Sequence, residues 1–156
     1  METAIRYLAV AAGGAFGAMA RYYLTGSWLS RVAAPFPTAT FVINISGSFV
    51  VGFLLTLITD RMSVSPHFRL ALATGFLGAY TTFAAFEYET AKLVEQQRYL
   101  IAGLNVILSL VVGFSAVWAG MMIARKVEGG QGPVGFAGTA IHTSGVQTTS
   151  EVIVDE

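Results

Sequence analysis

The third of four apolar segments in this chain has at its centre, at residues 75–86, the stretch GFLGAYTTFAAF. Gly and β-branched Thr have low helix propensity, so the stretch is a weak point in an otherwise apolar helix. Non-helical backbone at membrane depth is tolerated only where it is buried in protein or lines a cavity. The stretch therefore predicts a helix broken at its centre, with freed carbonyl groups suited to a cation.

The composition of the 156-residue chain is that of a membrane protein, with 54% hydrophobic and only 12% charged residues. Four segments are long enough to cross a hydrocarbon core of about 30 Å. They cover residues 4–24, 38–59, 69–94 and 100–124. We predict an all-α membrane protein with four transmembrane helices over residues 1–126. Residues 127–156 are rich in Gly, Ser and Thr, which predicts a disordered C-terminal tail.

Several classes of protein are excluded by charge and residue content. The net charge is zero, which argues against nucleic acid as a partner, and the absence of cysteine excludes disulfides and thiol nucleophiles. The first segment has no basic n-region and carries Arg21 near its end, so we interpret it as a permanent span rather than a signal peptide. No acid–base pair or nucleophile–base set lies at membrane depth, which argues against an enzyme.

The positive residues are distributed almost evenly between the two sides that four spans define. One side carries five and the other four. The five are Arg6, Arg61, Arg69, Arg125 and Lys126, and the four are Arg21, Arg31, Lys92 and Arg98. Because orientation follows the Lys/Arg imbalance, two interpretations stay open. The chain has a single, weakly specified orientation, or it inserts both ways and two copies pair antiparallel.

Small residues spaced four apart predict close helix packing. The pairs are Gly13 with Gly17, Ser48 with Gly52, and Ser109 with Gly113. Such pairs let two backbones approach each other in a membrane. They indicate a packed bundle and do not identify a function.

Polar residues within the spans are costly, so each is a candidate for function. Arg21 is either a snorkelling anchor or a partner for a carboxylate or anion. Asn44 either makes an interhelical hydrogen bond or donates to an anion in a narrow pore. Asn105 and Ser109, spaced four apart, share one helix face that either lines a water-containing path or forms a packing seam.

Phe83 and Phe86 lie three residues apart and therefore on roughly one helix face. The edge of an aromatic ring is electropositive, so two ring edges offer an anion weak contacts without a fixed charge. This arrangement suits conduction, in which an ion must both enter and leave. The alternative is that both rings simply face lipid or the protein core.

Residues 4–126 resemble the Fluc (CrcB) family of small bacterial fluoride channels. The resemblance rests on GGAFGAMARY at residues 13–22, TATFVINISGSFVVG at 38–52 and TGFLGAYTTFAAFEYE at 74–89. The last is close to the family pattern G-F-x-G-G-x-T-T-F-S-T-F-S-x-E. The resemblance implies an antiparallel, dual-topology homodimer in a bacterial plasma or inner membrane, in contact with lipid, with two fluoride pores and a central structural Na⁺.

The resemblance also implies a role for particular residues. The fluoride pore would contain Asn44, Phe83, Phe86, Thr82, Arg21, Thr40, Asn105, Ser109 and Glu89. Asn105 stands where the family more often has tyrosine. Backbone carbonyls of Gly78 and Thr81 would surround the Na⁺.

This sequence departs from the family pattern at four positions of the third segment. Ala79 replaces Gly, Ala84 and Ala85 replace Ser and Thr, and Glu87 stands where a small residue is usual. The lost hydroxyl groups bear on conduction rate and pore hydration. A heterodimer, whose partner supplies the missing groups, is therefore an alternative to the homodimer.

Two other functions are compatible with four spans. A proton-coupled small multidrug exporter also has dual topology, but it needs a carboxylate deep in the membrane, usually in the first span. Here Glu87 and Glu89 lie towards the end of the third segment instead. A non-transporting assembly subunit would account for the small residues but would not require Asn44 or a broken helix. We therefore expect passive fluoride export.

Overall fold

The computed structural model describes residues 1–60 and 64–127. These residues form helices, joined by turns and short irregular segments, and no strand is present among them. The helices are α1 (Glu2–Gly26), α2 (Thr38–Asp60), α3 (Pro66–Arg69), α4 (Gly78–Tyr80), α5 (Phe83–Glu95) and α6 (Tyr99–Val127). A 3₁₀ turn, Trp28–Arg31, follows α1, and a π-helical segment, Leu70–Leu77, joins α3 to α4. The all-α prediction is confirmed for the described residues.

The predicted tail lies outside the described residues except for its first member. Val127, assigned to the tail by the sequence, is the last residue of α6. The other residues predicted as tail, 128–156, have no described structure.

Within residues 1–60 and 64–127, three helical stretches are long and apolar enough to cross a membrane. They are Glu2–Gly26, Thr38–Ile58 and Tyr99–Val127, with mean hydropathies of 1.2, 2.2 and 2.3. The remaining predicted span, residues 69–94, is divided among the end of α3, the π-helical segment, α4 and α5, so no single helix covers it. Several membrane-length helices in one chain are those of a multi-pass membrane protein.

Two helix pairs dominate the packing, and glycines set their separation. Helix α2 packs along α6, and α1 packs along the π-helical segment. A Cβ on Gly17 would collide with the carbonyl of Phe76, and one on Gly52 would collide with the carbonyl of Val117. A Cβ on Gly113, by contrast, would make only ordinary contacts, the nearest with the Ile45 Cδ1 atom at 3.5 Å. Two of the three predicted small-residue pairs therefore contain glycines in backbone-to-backbone contact.

Helices α1 and α6 leave broad apolar faces uncovered. Gly17 is the one buried residue of α1. The exposed large side chains include Phe16, Met19, Tyr22 and Tyr23 on α1, and Leu104, Ile107, Phe114 and Trp118 on α6. Apolar faces of this size are stable only in apolar surroundings, such as lipid chains or another protein surface.

The turn between α5 and α6 has a Schellman geometry. Arg98 N–H donates to the Leu93 carbonyl at 2.8 Å, and Gln97 N–H donates to that of Val94 at 2.9 Å. Gln97 has a φ of 58°, in the left-handed region. Glycine is the usual residue at this position because it has no Cβ to clash there.

Gln97→Gly is expected to raise the free energy of unfolding by about 0.5–1 kcal/mol. Glycine removes the strain of the left-handed conformation, and the greater chain entropy of glycine in the unfolded state offsets part of this gain. Thermal unfolding of the protein in detergent measures the change. Gln96→Gly is the control, because Gln96 has an ordinary φ of −78° and gains nothing from glycine. The assignment of strain is wrong if both substitutions lower the midpoint equally.

Candidate functional site

Helical backbone stops at Tyr80 and resumes at Phe83. Between them Thr81 (φ −78°, ψ 155°) and Thr82 (φ −149°, ψ 111°) are extended, and we call these two residues the interruption. The Thr82 hydroxyl accepts a hydrogen bond from Ala85 N–H at 3.2 Å and so caps α5. In a continuous helix that N–H would bond to the carbonyl of Thr81. The cap therefore takes away the helical donor of the Thr81 carbonyl.

Asn44 on α2 binds the interruption through both ends of its carboxamide. Its Nδ2 donates to the Thr82 carbonyl at 3.0 Å, and its Oδ1 accepts from Thr82 N–H at 2.9 Å. In a continuous helix Thr82 N–H would bond to the carbonyl of Gly78. Asn44 thus replaces a helical partner, and the Gly78 carbonyl loses the donor that a continuous helix would supply. Of the two interpretations of Asn44, hydrogen bonding to another helical segment is therefore observed, with two bonds to Thr82.

An open groove of about 310 Å³ lies beside the interruption, between α2, α5 and α6. Its lining residues are Asn44, Ser48, Val51, Thr81, Thr82, Phe83, Phe86, Ser109, Leu110 and Val117. Five of the residues predicted for the pore are among them: Asn44, Thr82, Phe83, Phe86 and Ser109. These five come from three separate helical regions, so the tertiary structure brings them together.

The two phenylalanines form one wall of the groove. Their ring centroids are 5.7 Å apart and their planes are inclined by 35°. Phe83 is 68% exposed, whereas Phe86 is half-buried. The wall is consequently open on the Phe83 side in a single chain.

Three predicted pore residues lie away from the groove lining, in a second polar cluster between α2, α5 and α6. Thr40, only 4% exposed, donates to Glu89 Oε1 at 2.9 Å. Asn105, 1% exposed, donates to Thr90 Oγ1 at 2.8 Å. Glu89 Oε2 is buried and has no hydrogen-bond partner among the described residues. Asn105 therefore contributes to packing of α5 against α6, while Ser109 lines the groove, although both were predicted on one face.

The last two predicted residues lie in neither place. Arg21 is half-buried on α1, which packs along the π-helical segment. Gly78 is exposed, and a Cβ built on it would have no described atom within 4 Å.

Sequence reasoning missed four residues that contact the interruption or the predicted site. Ser46 bonds to the hydroxyl of Tyr80 at 2.8 Å, Gly47 packs under Thr81, and Thr90 receives the hydrogen bond of Asn105. A signal for two of them was present, because Ser46 and Gly47 interrupt the apolar run of α2 two and three residues after Asn44.

Comparison with known proteins identifies a family. The family described as "CrcB-like protein, Camphor Resistance (CrcB)" matches residues 8–121. A protein of Solibacter usitatus named fluoride-specific ion channel FluC is 46% identical over 122 residues, which are 78% of this chain and 100% of the relative. Identically named proteins of Acidobacterium capsulatum and Thermococcus kodakarensis are 45% and 41% identical, over 79% and 76% of this chain and 98% and 95% of their own lengths.

These names describe ion transport rather than catalysis. The match covers every residue that lines the groove, including the interruption and Asn44. The resemblance predicted from the three motifs is confirmed, and the chain belongs to the CrcB family.

Proposed function

We propose that this protein is a fluoride channel that exports F⁻ passively across the bacterial plasma or inner membrane and so relieves fluoride toxicity. The observation that carries the proposal is the convergence of Asn44, Phe83 and Phe86 on one groove beside the interruption. The names of the relatives support fluoride as the ion. HF enters a cell as a neutral weak acid and dissociates inside, so an anion-selective leak is enough to drain the cytoplasm.

The chemistry of the groove suits a small anion in transit. Its lining residues are all uncharged, so no fixed charge holds an anion in place. The electropositive groups of the lining include the second N–H of Asn44, the hydroxyls of Ser48 and Ser109, and the ring edges of the two phenylalanines. Weak contacts of this kind let an ion enter and leave.

The channel is proposed to be an antiparallel homodimer in which two copies have opposite topology. The groove is open beside Phe83, and the apolar faces of α1 and α6 are uncovered in one chain. A second copy would close the groove and cover apolar surface. A heterodimer remains the alternative, because Ala84 and Ala85 lack the hydroxyl groups of the family pattern.

A structural Na⁺ at the interruption is part of the same proposal, and the residues present fit it. The N–H groups that would bond to the Gly78 and Thr81 carbonyls in a continuous helix are donated to the side chains of Asn44 and Thr82. Carbonyl oxygens are ligands that hard cations accept. One chain offers two such carbonyls, and two antiparallel copies would offer four. A bound ion would hold the two interruptions together electrostatically.

The alternative, a proton-coupled small multidrug exporter, has weaker support. It requires a membrane carboxylate exposed to substrate, but neither Glu87 nor Glu89 lines the groove, and Glu89 is bonded to Thr40. Efflux of fluoride from proteoliposomes, compared with chloride, decides between the two. We expect rapid fluoride efflux and little chloride efflux, without a proton gradient. Absence of fluoride flux from purified protein in Na⁺ buffer would overturn the channel proposal.

Phe83→Ile and Phe86→Ile are each expected to lower fluoride efflux by about tenfold, since losing a weak contact of about 1.4 kcal/mol costs a factor of ten. Isoleucine keeps the apolar bulk but has no electropositive edge. Dimer assembly, measured by size-exclusion chromatography, is expected to be unchanged. Phe114→Ile is the control, because Phe114 is exposed on α6 and does not line the groove. If both groove variants conduct fluoride as fast as the parent, the ring edges do not contribute to conduction.

A further inference from the structure

Helix α2 contacts three consecutive residues, 80–82, and not only Thr82. Asn44 holds Thr82 through the two hydrogen bonds described above. Gly47 lies under Thr81, since a Cβ on Gly47 would collide with Thr81 Cγ2. Ser46 bonds to the hydroxyl of Tyr80 at 2.8 Å. The proposed function uses the first of these contacts and leaves the other two unexplained.

The direction of the Ser46–Tyr80 hydrogen bond follows from counting hydrogens. Ser46 Oγ also lies 3.1 Å from the carbonyl of Ile43, and a carbonyl can only accept. Both contacts of Ser46 are hydrogen bonds at once only when its single hydroxyl hydrogen is donated to Ile43. Tyr80 must then donate its own hydroxyl hydrogen to Ser46 Oγ. The phenol is thus tied, through Ser46, to the backbone of α2.

Tyr80 is held at its ring as well as at its hydroxyl. The ring stacks on that of Phe76, with centroids 5.8 Å apart and planes inclined by 8°. The hydroxyl of Thr81 is also occupied, because it donates to the Leu77 carbonyl at 3.0 Å. Tyr80 therefore fixes the end of α4 against α2, and Asn44 fixes the peptide between Thr81 and Thr82.

We propose that Ser46 and Tyr80 are a positioning pair that fixes α4 against α2, and with it the Gly78 carbonyl, and thereby sets the affinity of the interruption for a monovalent cation. This inference rests on the cation site of the proposed function. Asn44 holds the planar peptide unit that contains the Thr81 carbonyl and Thr82 N–H. Gly78 lies instead on α4, which the Tyr80 bond ties to α2, so without that bond the Gly78 carbonyl can shift. A carbonyl spread over several directions binds a cation less tightly than one held in a single direction.

The test compares the parent with Tyr80→Phe, Ser46→Ala and the double variant. Thermal unfolding is followed as Na⁺ replaces N-methylglucamine at constant ionic strength, and again with K⁺. The Na⁺ midpoint is the Na⁺ concentration that gives half of the maximal rise in unfolding temperature. Each single variant is expected to raise it by about fivefold, the equivalent of one lost hydrogen bond. The double variant is expected to match the singles, because all three lose the same bond.

Two matched controls separate positioning from general loss of stability. Ser115→Ala removes a hydroxyl that bonds to its own helix at Val111, and Tyr88→Phe removes an exposed phenol. Both are expected to keep the parental Na⁺ midpoint. If Ser46 and Tyr80 only stabilise the fold, their variants will have a lower unfolding temperature in N-methylglucamine and the parental Na⁺ midpoint. That result would overturn the inference.

Fluoride efflux from the same preparations distinguishes this inference from the function on which it rests. Parental efflux without any Na⁺-specific stabilisation overturns the positioning pair and the cation site, and leaves the channel standing. Na⁺-specific stabilisation with additive effects of the two substitutions shows that the residues act separately, which also overturns the pair. Absence of efflux in the parent overturns the proposed function itself.

Discussion

Asn44→Ala is expected to reduce fluoride efflux by about a hundredfold, the effect of losing roughly 3 kcal/mol from two hydrogen bonds and the groups they leave unpaired. Asn44 satisfies both backbone polar groups of Thr82. Without the carboxamide, Thr82 N–H is free to return to the Gly78 carbonyl and close the helix. The groove then loses both its amide donor and its shape. Proteoliposome efflux measures the loss, and chromatography in detergent monitors assembly.

Asn44→Asp separates the two bonds of Asn44. A carboxylate still accepts from Thr82 N–H, but it cannot donate to the Thr82 carbonyl, and it places a negative charge in the groove. We expect assembly to be better preserved than in Asn44→Ala and efflux to be lost as severely, because the charge repels an anion. The control is Asn105→Ala, because the side chain of Asn105 bonds to Thr90 and does not line the groove. Efflux from Asn44→Asp within threefold of the parent would contradict the role assigned to Asn44.

Gly17→Ala is expected to cost about 3 kcal/mol of stability, the upper end for overpacking, because the new methyl group meets backbone rather than a flexible side chain. A Cβ on Gly17 would collide with the carbonyl of Phe76 in the π-helical segment. Helix α1 must then move away from the segment that leads into the interruption. The measurement is the thermal midpoint in detergent, with the yield of folded protein as a second readout.

Gly103→Ala is the matched control for Gly17→Ala. Gly103 is on α6, and a Cβ there would have no described atom within 4 Å. Alanine is expected to stabilise α6 slightly, by up to ~1 kcal/mol, through its higher helix propensity. Equal midpoints for the two variants would show that α1 and the π-helical segment are not in close backbone contact.

The extent of the long helices could be predicted because it depends on local composition. Residues 4–24 were predicted as the first span, and α1 covers Glu2–Gly26. Residues 100–124 were predicted as the fourth, and α6 covers Tyr99–Val127. A run of apolar residues has no stable alternative to helix in a membrane, so its length alone indicates a span. The third segment was also predicted as a span, and its Gly and Thr content pointed to the position at which Thr81 and Thr82 are extended.

The partners of the polar side chains could not be predicted in the same way. Asn105 and Ser109 share a helix face by spacing, yet Asn105 bonds to Thr90 and Ser109 lines the groove. The reason is that α6 contacts α5 near one residue and borders the groove near the other. Likewise, nothing in the sequence around Ser46 indicated that Tyr80 would lie 2.8 Å away. Hydrogen bonds between residues 34 positions apart depend on how two helices are rotated and shifted against each other.

By itself the sequence determined the all-α membrane class, the approximate spans, the family and the weak point at GFLGAYTTFAAF, because all of these depend on residue type and local spacing. Only the tertiary structure decided which backbone groups change hydrogen-bond partners at that weak point. Asn44 reaches across from α2 to take Thr82 N–H, and Thr82 takes the N–H of Ala85. The Gly78 carbonyl loses its helical donor through a contact that exists only when α2 packs against the interruption, whereas the Thr81 carbonyl loses its donor to the local cap of α5.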